Sequence, residues 1–365
     1  MDRLEVRVSV TKLLFSLIVV IVPLSIVGLI LTGRSEKSLD NAIGTDLKTM
    51  AKLYSDDVSQ FMLDRVNEVM AMATDPAIVQ AVSTAAGHST ANQDARTSAA
   101  ETAPATRGML GNNASQVLRQ RRDLDPRLLR VVATDANGTV VAATHRLAIS
   151  SYAQNELWQA AFNKGQGAIK IGDILYDELT KSYYVTIGVP VSDPASSASI
   201  GVLSAAVNIS GLLSRFQQSQ IANGARAMLV NDNGVIVSGP NADVFAHVPS
   251  PEFATLHDSL GSPQGSQNGW ITADLPAGRH LLGYANTGLK RNYENLGWLV
   301  IVAQDERQAL APTRQLAQFA MLMVVLGFLM VLLLCVYYYL HHTQRFAHLT
   351  EEQFSKEQQS HAATV

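Results

Sequence analysis

Tyr152, Trp158, Asp173, Tyr176, Asp177, Tyr184 and Thr186 interleave aromatic rings with carboxylates and a hydroxyl over a short stretch of the chain. Rings offer flat apolar contact with a polar tip, and a carboxylate can hold an ammonium or a hydroxyl. The set therefore suits non-covalent capture of a small amine or polyhydroxylated compound. A plainer reading stands beside it, because a lone tryptophan on an amphipathic helix commonly fills a core and Tyr176-Asp177 suits a turn. Neither reading calls for a reaction. The 9 histidines are scattered, with His341 and His342 adjacent, and show no His-Glu-x-x-His spacing. No Gly-x-Ser-x-Gly elbow occurs, and the Gly261 to Gly265 loop lacks the lysine of a nucleotide-binding loop. The expectation is a binding protein, not an enzyme, with no metal or cofactor.

Positioning these residues is the task of a repeated β pattern. Residues 128–143 read as two strand-like runs joined at Asn137-Gly138, a strong hairpin signal, and the phrase returns at 226–238 around Asn233-Gly234. Two related modules are expected. Asp135 with Asn137, and Asp232 with Asn233, resemble fragments of calcium loops, but no closing glutamate follows and the turn reading is preferred. The sequons at Asn113, Asn137 and Asn208 read as chance matches. After the first hairpin come a polar helix over 152–162 and strands over 167–173, 183–191 and 200–209. The second module repeats this with a helix over 251–258 and strands over 269–274, 280–284 and 298–303. Hairpin, helix, then three more strands describes an α+β fold on antiparallel sheets.

From Leu39 apolar residues recur at Ile43, Leu47, Met50, Tyr54, Val58, Phe61, Val69 and Ala73, interrupted at Arg65, which is the spacing of a long helix with one apolar stripe. Pro76 ends it. The stripe can pack on its own domain, form a homodimer seam, or do both in different stretches. Residues 83–113 read as short helices and loops rich in Ala, Ser and Thr.

The apolar runs 13–31 and 319–340 are each long enough to cross a bilayer as a helix, given about 1.5 Å of rise per residue and about 30 Å of hydrocarbon. The first exceeds a signal-peptide core and lacks a clean cleavage site, so it reads as an anchor. Arg3, Arg7 and Lys12 outnumber Arg34 and Lys37, which points to cytoplasmic termini and an extracytoplasmic middle. The whole chain is 47% hydrophobic and 16% charged with a net charge of −3, an ordinary globular balance once two spans are removed. No basic stripe supports nucleic-acid binding. Cys335, the single cysteine, lies in the second apolar run and leaves the middle without disulfides or thiol chemistry.

In order and spacing, Asp75-Pro76, Trp158, Gly165 and Gly167, Gly172-Asp173 with Tyr176-Asp177, Tyr184 through Pro190, and Gly201 resemble the double Cache family of bacterial extracytoplasmic sensor domains. The family includes the sensing regions of chemoreceptors, sensor kinases and diguanylate cyclases. The resemblance implies a long helix and two tandem PAS-like modules, with small ligands usually held in the membrane-distal one. On that basis residues 1–12 form a cytoplasmic N-terminus, 13–32 a span, 33–82 the long helix, 83–215 the distal module, 216–315 the proximal module, 316–340 a second span and 341–365 a cytoplasmic tail. Relatives that bind amino acids carry an arginine two residues before the tryptophan and a later aspartate. Here Glu156 and Ala206 or a neighbour stand in those places, so an amino-acid clamp is not expected. The implied function is a sensor in the inner membrane that transmits ligand binding through its spans. It carries no output domain of its own, being read by a separate effector or having lost one. The alternative is an envelope scaffold subunit whose ectodomain binds another protein.

Overall fold

The computed structural model describes residues 10–89, 110–218, 221, 224–260 and 268–309, and helical pieces at 321–322, 325–329, 331–333 and 335–336; the side chains of 10–37 and some at other helix ends lie outside the described set. The chain divides into two compact units, Ile43–Glu306 and a second made of Met1–Ala42 with Arg307–Val365. In the second unit the described residues Met321, Leu322, Val325, Leu326, Phe328, Leu329, Leu332, Leu333 and Val336 are all exposed. Among the described residues no helix is long and apolar enough to cross a membrane. The side chains of 13–31, and parts of 319–340 altogether, lie outside the described set.

The first unit is built on helix α1, Val10–Ala73, of which the part from Ile43 onward belongs here. Its buried side chains are Leu47, Ala51, Ser55, Val58, Met62, Val66, Val69, Met72 and Ala73, recurring every three or four residues up to the last pair, so the apolar stripe is used within the molecule. Arg65, the break in that stripe, is turned to use by ion pairs with Glu68 and, at 2.6 Å, with Asp125. The helix ends where Pro76 forbids continuation, and a second helix, α2, starts on that proline at Pro76–Ser89. Residues 90–109, most of the stretch expected to be irregular, lie outside the described residues. Helix α3, Asn113–Leu124, follows with Asn112 as its N-cap.

Two antiparallel sheets complete the unit. In the first module β1, Leu128–Asp135, β2, Val140–Ala143, β3, Lys170–Ile171, β4, Leu175–Asp177, β5, Ser182–Ser192, and β6, Ser199–Asn208, join in the order β2-β1-β6-β5-β3, with β4 also on β5. In the second module β7, Arg226–Val230, β8, Ile236–Ser238, β9, Asn268–Leu275, β10, Gly278–Asn286, and β11, Leu299–Asp305, take the order β8-β7-β11-β10-β9. Short helices α4, Glu156–Phe162, and α6, Pro251–Leu260, fall at corresponding places in the two modules, with α5, Ser210–Gln217, between the modules.

The repeat extends to single hydrogen bonds. Asp135 Oδ1 accepts from the backbone N–H groups of Asn137 and Thr139 at 2.9 and 2.8 Å, and Asn231 Oδ1 accepts from Asn233 and Val235 at 3.1 and 2.9 Å. Gly138 and Gly234 both sit at φ 77°, where glycine alone is unstrained. Asp135 is thereby occupied in holding its turn, as the turn reading anticipates. One sheet face of each module packs on α1, where Val131, Ala133, Ile187, Leu203 and Ala205 of the first sheet and Leu281, Ala285, Val300 and Val302 of the second share one core. The other face carries α4 in the first module and α6 in the second.

The structure also corrects element bounds. The helix expected over 152–162 starts only at Glu156, because Asn155 caps it by accepting from Trp158 N–H at 3.0 Å, so Tyr152 lies in the preceding turn. The strand expected over 167–173 shrinks to Lys170–Ile171, the two residues that pair with β5, since Gly167 takes φ 74° ahead of it. Tyr176 and Asp177 sit in β4, opposite Tyr183 and Ser182.

Candidate functional site

Alternation along β1 sends Val131 and Ala133 to the core and Arg130, Val132 and Thr134 to the opposite face. Register extends that face across the sheet: Ala206 lies between Arg130 and Thr186, Ser204 between Val132 and Gly188, and Val202 between Thr134 and Pro190. Helix α4, 7 residues long, covers only the Val202 end. There Trp158 and Ala161 pack on Val202, and Gly188 leaves room for Ala161, whose methyl would lie 3.1 Å from any Cβ placed there. The Arg130 end stays uncovered. A half-open cavity of about 320 Å³ results, walled by Arg130, His145, Tyr152, Asp173, Tyr184, Thr186 and Ser204 among others.

The methyl of Ala206 leaves the row between Arg130 and Thr186 low, and the Arg130 guanidinium lies over the Tyr184 ring at 5.1 Å from its centroid. Among the described residues Arg130 has no carboxylate partner. Neither the Thr186 nor the Ser204 hydroxyl is hydrogen-bonded to protein among them. Burial lowers the pKa of His145, and the charges of Arg130 and Arg122 push it the same way. Burial raises the pKa of Tyr152, with Arg130 opposing. Asp173 contributes the wall's carboxylate and is exposed. Among the described residues the cavity thus offers a guanidinium set over an aromatic ring and two hydroxyls with no protein partner.

Of the residues singled out from sequence, the structure brings Tyr152, Asp173, Tyr184 and Thr186 to this wall. It places Trp158 elsewhere, 7% exposed, stacked on Phe162 with ring centroids 5.0 Å apart and its indole N–H donating to Thr134 Oγ1 at 2.8 Å. Tyr176 stands outside against Tyr183 at 5.1 Å, and Asp177 accepts from Leu179 N–H in a turn. Glu156 is exposed and off the wall, while Ala206 is on it. Arg130, His145, Asn155 and Ser204 were missed. For Arg130 the signal was present, since an arginine at an alternating position of an apolar strand has to face something polar.

The second module supplies an internal comparison. Arg226, Met228 and Val230 occupy the registers of Arg130, Val132 and Thr134, counted from the shared turn. Where the first sheet has Thr186, Ser204 and Gly188, the second has Leu282, Ile301 and Tyr284. With Leu256 of α6 these form a buried apolar cluster that fills the space.

The family profile described as "Cache domain", of the double type, matches residues 35–313. The chain belongs to the double Cache family. The fold is shared with the ligand-binding domain of the Pseudomonas aeruginosa amino-acid chemoreceptor PctC in complex with GABA. That match has a TM-score of 0.50 at 15% identity and covers 72% of this chain and 100% of that one. It is shared also with the sensory domain of a Campylobacter jejuni chemoreceptor with isoleucine bound, at a TM-score of 0.51 and 13% identity, covering 75% of this chain and 97% of that one. No curated sequence matches the chain. Within the double Cache frame the cavity-bearing sheet is the first PAS-like module, and the filled one is the second.

Proposed function

We propose that this double Cache protein is a membrane-anchored, extracytoplasmic sensor that takes a small molecule into the cavity of its first module and signals through α1 and the terminal apolar segments. The observation that carries the reading is the contrast between two sheets of one topology. Leu282, Ile301 and Tyr284 close the second, while Thr186, Ser204 and Gly188 leave the first open around an arginine with no carboxylate partner among the described residues. A cavity of about 320 Å³ is of the size that holds a small metabolite. Chemoreceptor domains of the same fold, with GABA or isoleucine bound, support the placement of a ligand of that scale. The exposed apolar side chains described between Met321 and Val336 support a lipid surrounding for the second apolar run, since so many large apolar side chains seldom face water together.

Tyr152, Asp173, Tyr184 and Thr186 are assigned as ligand-contacting residues, joined by Arg130 and Ser204. Signalling follows from differential affinity: the ligand favours whichever arrangement of the module closes better around it. The test is a thermal melt of the detergent-solubilised full chain against panels of amines, sugars, purines, amino acids and organic acids. A compound present at 100 times its Kd stabilises by about 2.7 kcal/mol, enough to read as a clear rise in Tm.

A further inference from the structure

We infer that the ligand is a small organic acid, its carboxylate held by Arg130. This rests on the sensor reading and deepens it. Arg130 stands half-buried in the wall with its guanidinium over the Tyr184 ring, and no carboxylate of the described protein answers it. The neighbouring surface adds donors of the same sense. The Thr186 and Ser204 hydroxyls are free, whereas Asn155 is occupied in capping α4.

A guanidinium without a carboxylate partner in a half-open cup matches a planar carboxylate through two parallel hydrogen bonds. An alkylammonium would meet it as a like charge. That displaces the amine expected from sequence, because that expectation counted Asp173 and did not see Arg130. Asp173 is exposed in the cavity wall, where it can accept from a hydroxyl or an ammonium elsewhere on the same acid. The holding group also differs in origin from the clamp of amino-acid-binding relatives. Arg130 comes from strand β1, and the helix position carries Glu156, which is off the wall.

The experiment is a melt and calorimetric titration of the detergent-solubilised full chain with three- to six-carbon mono-, di- and hydroxycarboxylates and 4-aminobutanoate, against butylamine, butanediol and inorganic phosphate. The expected result is stabilisation by one or more carboxylates and by neither butylamine nor butanediol. Arg130→Gln should weaken that binding at least about 30-fold, and Arg130→Lys, which keeps the charge, should recover part of the loss. Should Arg130→Gln fail to fold, Arg130→Lys is measured alone and must still lower affinity for the acid, since the fork is lost. Binding of an amine, a diol or phosphate while no carboxylate binds overturns the inference and leaves the sensor reading standing. Carboxylate binding unchanged in both Arg130 variants overturns it equally. Binding by none of these compounds, nor by any in the wider panel, overturns both.

Discussion

Trp158 and Arg130 lie on the same sheet face, one closed into the fold and the other left lining the cavity. The Trp158 indole is closed in by Phe162 and satisfied by Thr134, so its removal acts on stability and leaves the cavity wall intact. Trp158→Phe should cost about 1–2 kcal/mol in urea unfolding, the worth of a buried hydrogen bond and some packing, with ligand affinity unchanged. Asp125 is the clearest titrating group. Burial opposes its ionisation, but hydrogen bonds from the Arg127 side chain and backbone and from Arg65 outweigh that, and its pKa falls from 3.8 to about 2. The unfolded chain then binds the proton more readily than the folded one. The carboxylate's stabilisation is full above its unfolded pKa and is lost as pH falls toward the folded value. Unfolding of wild type and Asp125→Asn measured from pH 6 to pH 2 should show a stability difference that is flat at first and shrinks below 3.8. The turn at Asn137-Gly138 was legible because glycine's freedom is a local property. The partner of a strand arginine was not, because Tyr184 lies two strands away in space and 54 positions away in sequence (184 − 130).

At the level of elements, α1 is held against the second sheet by backbone approach as much as by side chains. A Cβ on Gly283 of β10 would run into the Leu47 carbonyl and lie 2.6 Å from the Lys48 amide nitrogen. The helix cannot yield without leaving the core that Leu281, Ala285, Val300 and Val302 share with it. Gly283→Ala should therefore destabilise by about 2–3 kcal/mol, in the range of overpacking, where an exposed strand glycine would gain from the same change. Thermal unfolding of the variant checks this. The long helix and every long strand were readable from period and turn residues, because both patterns are carried by consecutive positions. The short β3 and β4 and the late start of α4 were not. They depend on pairing to β5 and on the Asn155 cap winning over the apolar pattern upstream.

On the scale of the whole molecule, two copies of one design diverge in what covers the sheet. The second module fills its inner face with Met228, Leu282, Tyr284 and Ile301 and serves as packing for α1, while the first keeps its face open around Arg130, where the ligand is proposed to bind. That division was hidden in the sequence, where the two modules are matched by their turns and differ at positions whose inward direction only the register reveals. The account turns on the open face being the sensor's site, and filling it is the direct test. Ala206, 7% exposed between Arg130 and Thr186, accepts a larger side chain only at the expense of the cavity. Melts of the wild-type full chain and Ala206→Leu against the same metabolite panel should show a compound that raises the wild-type Tm and leaves the folded variant unmoved. Equal shifts in both proteins would contradict the account, as would the absence of any shift in the wild type.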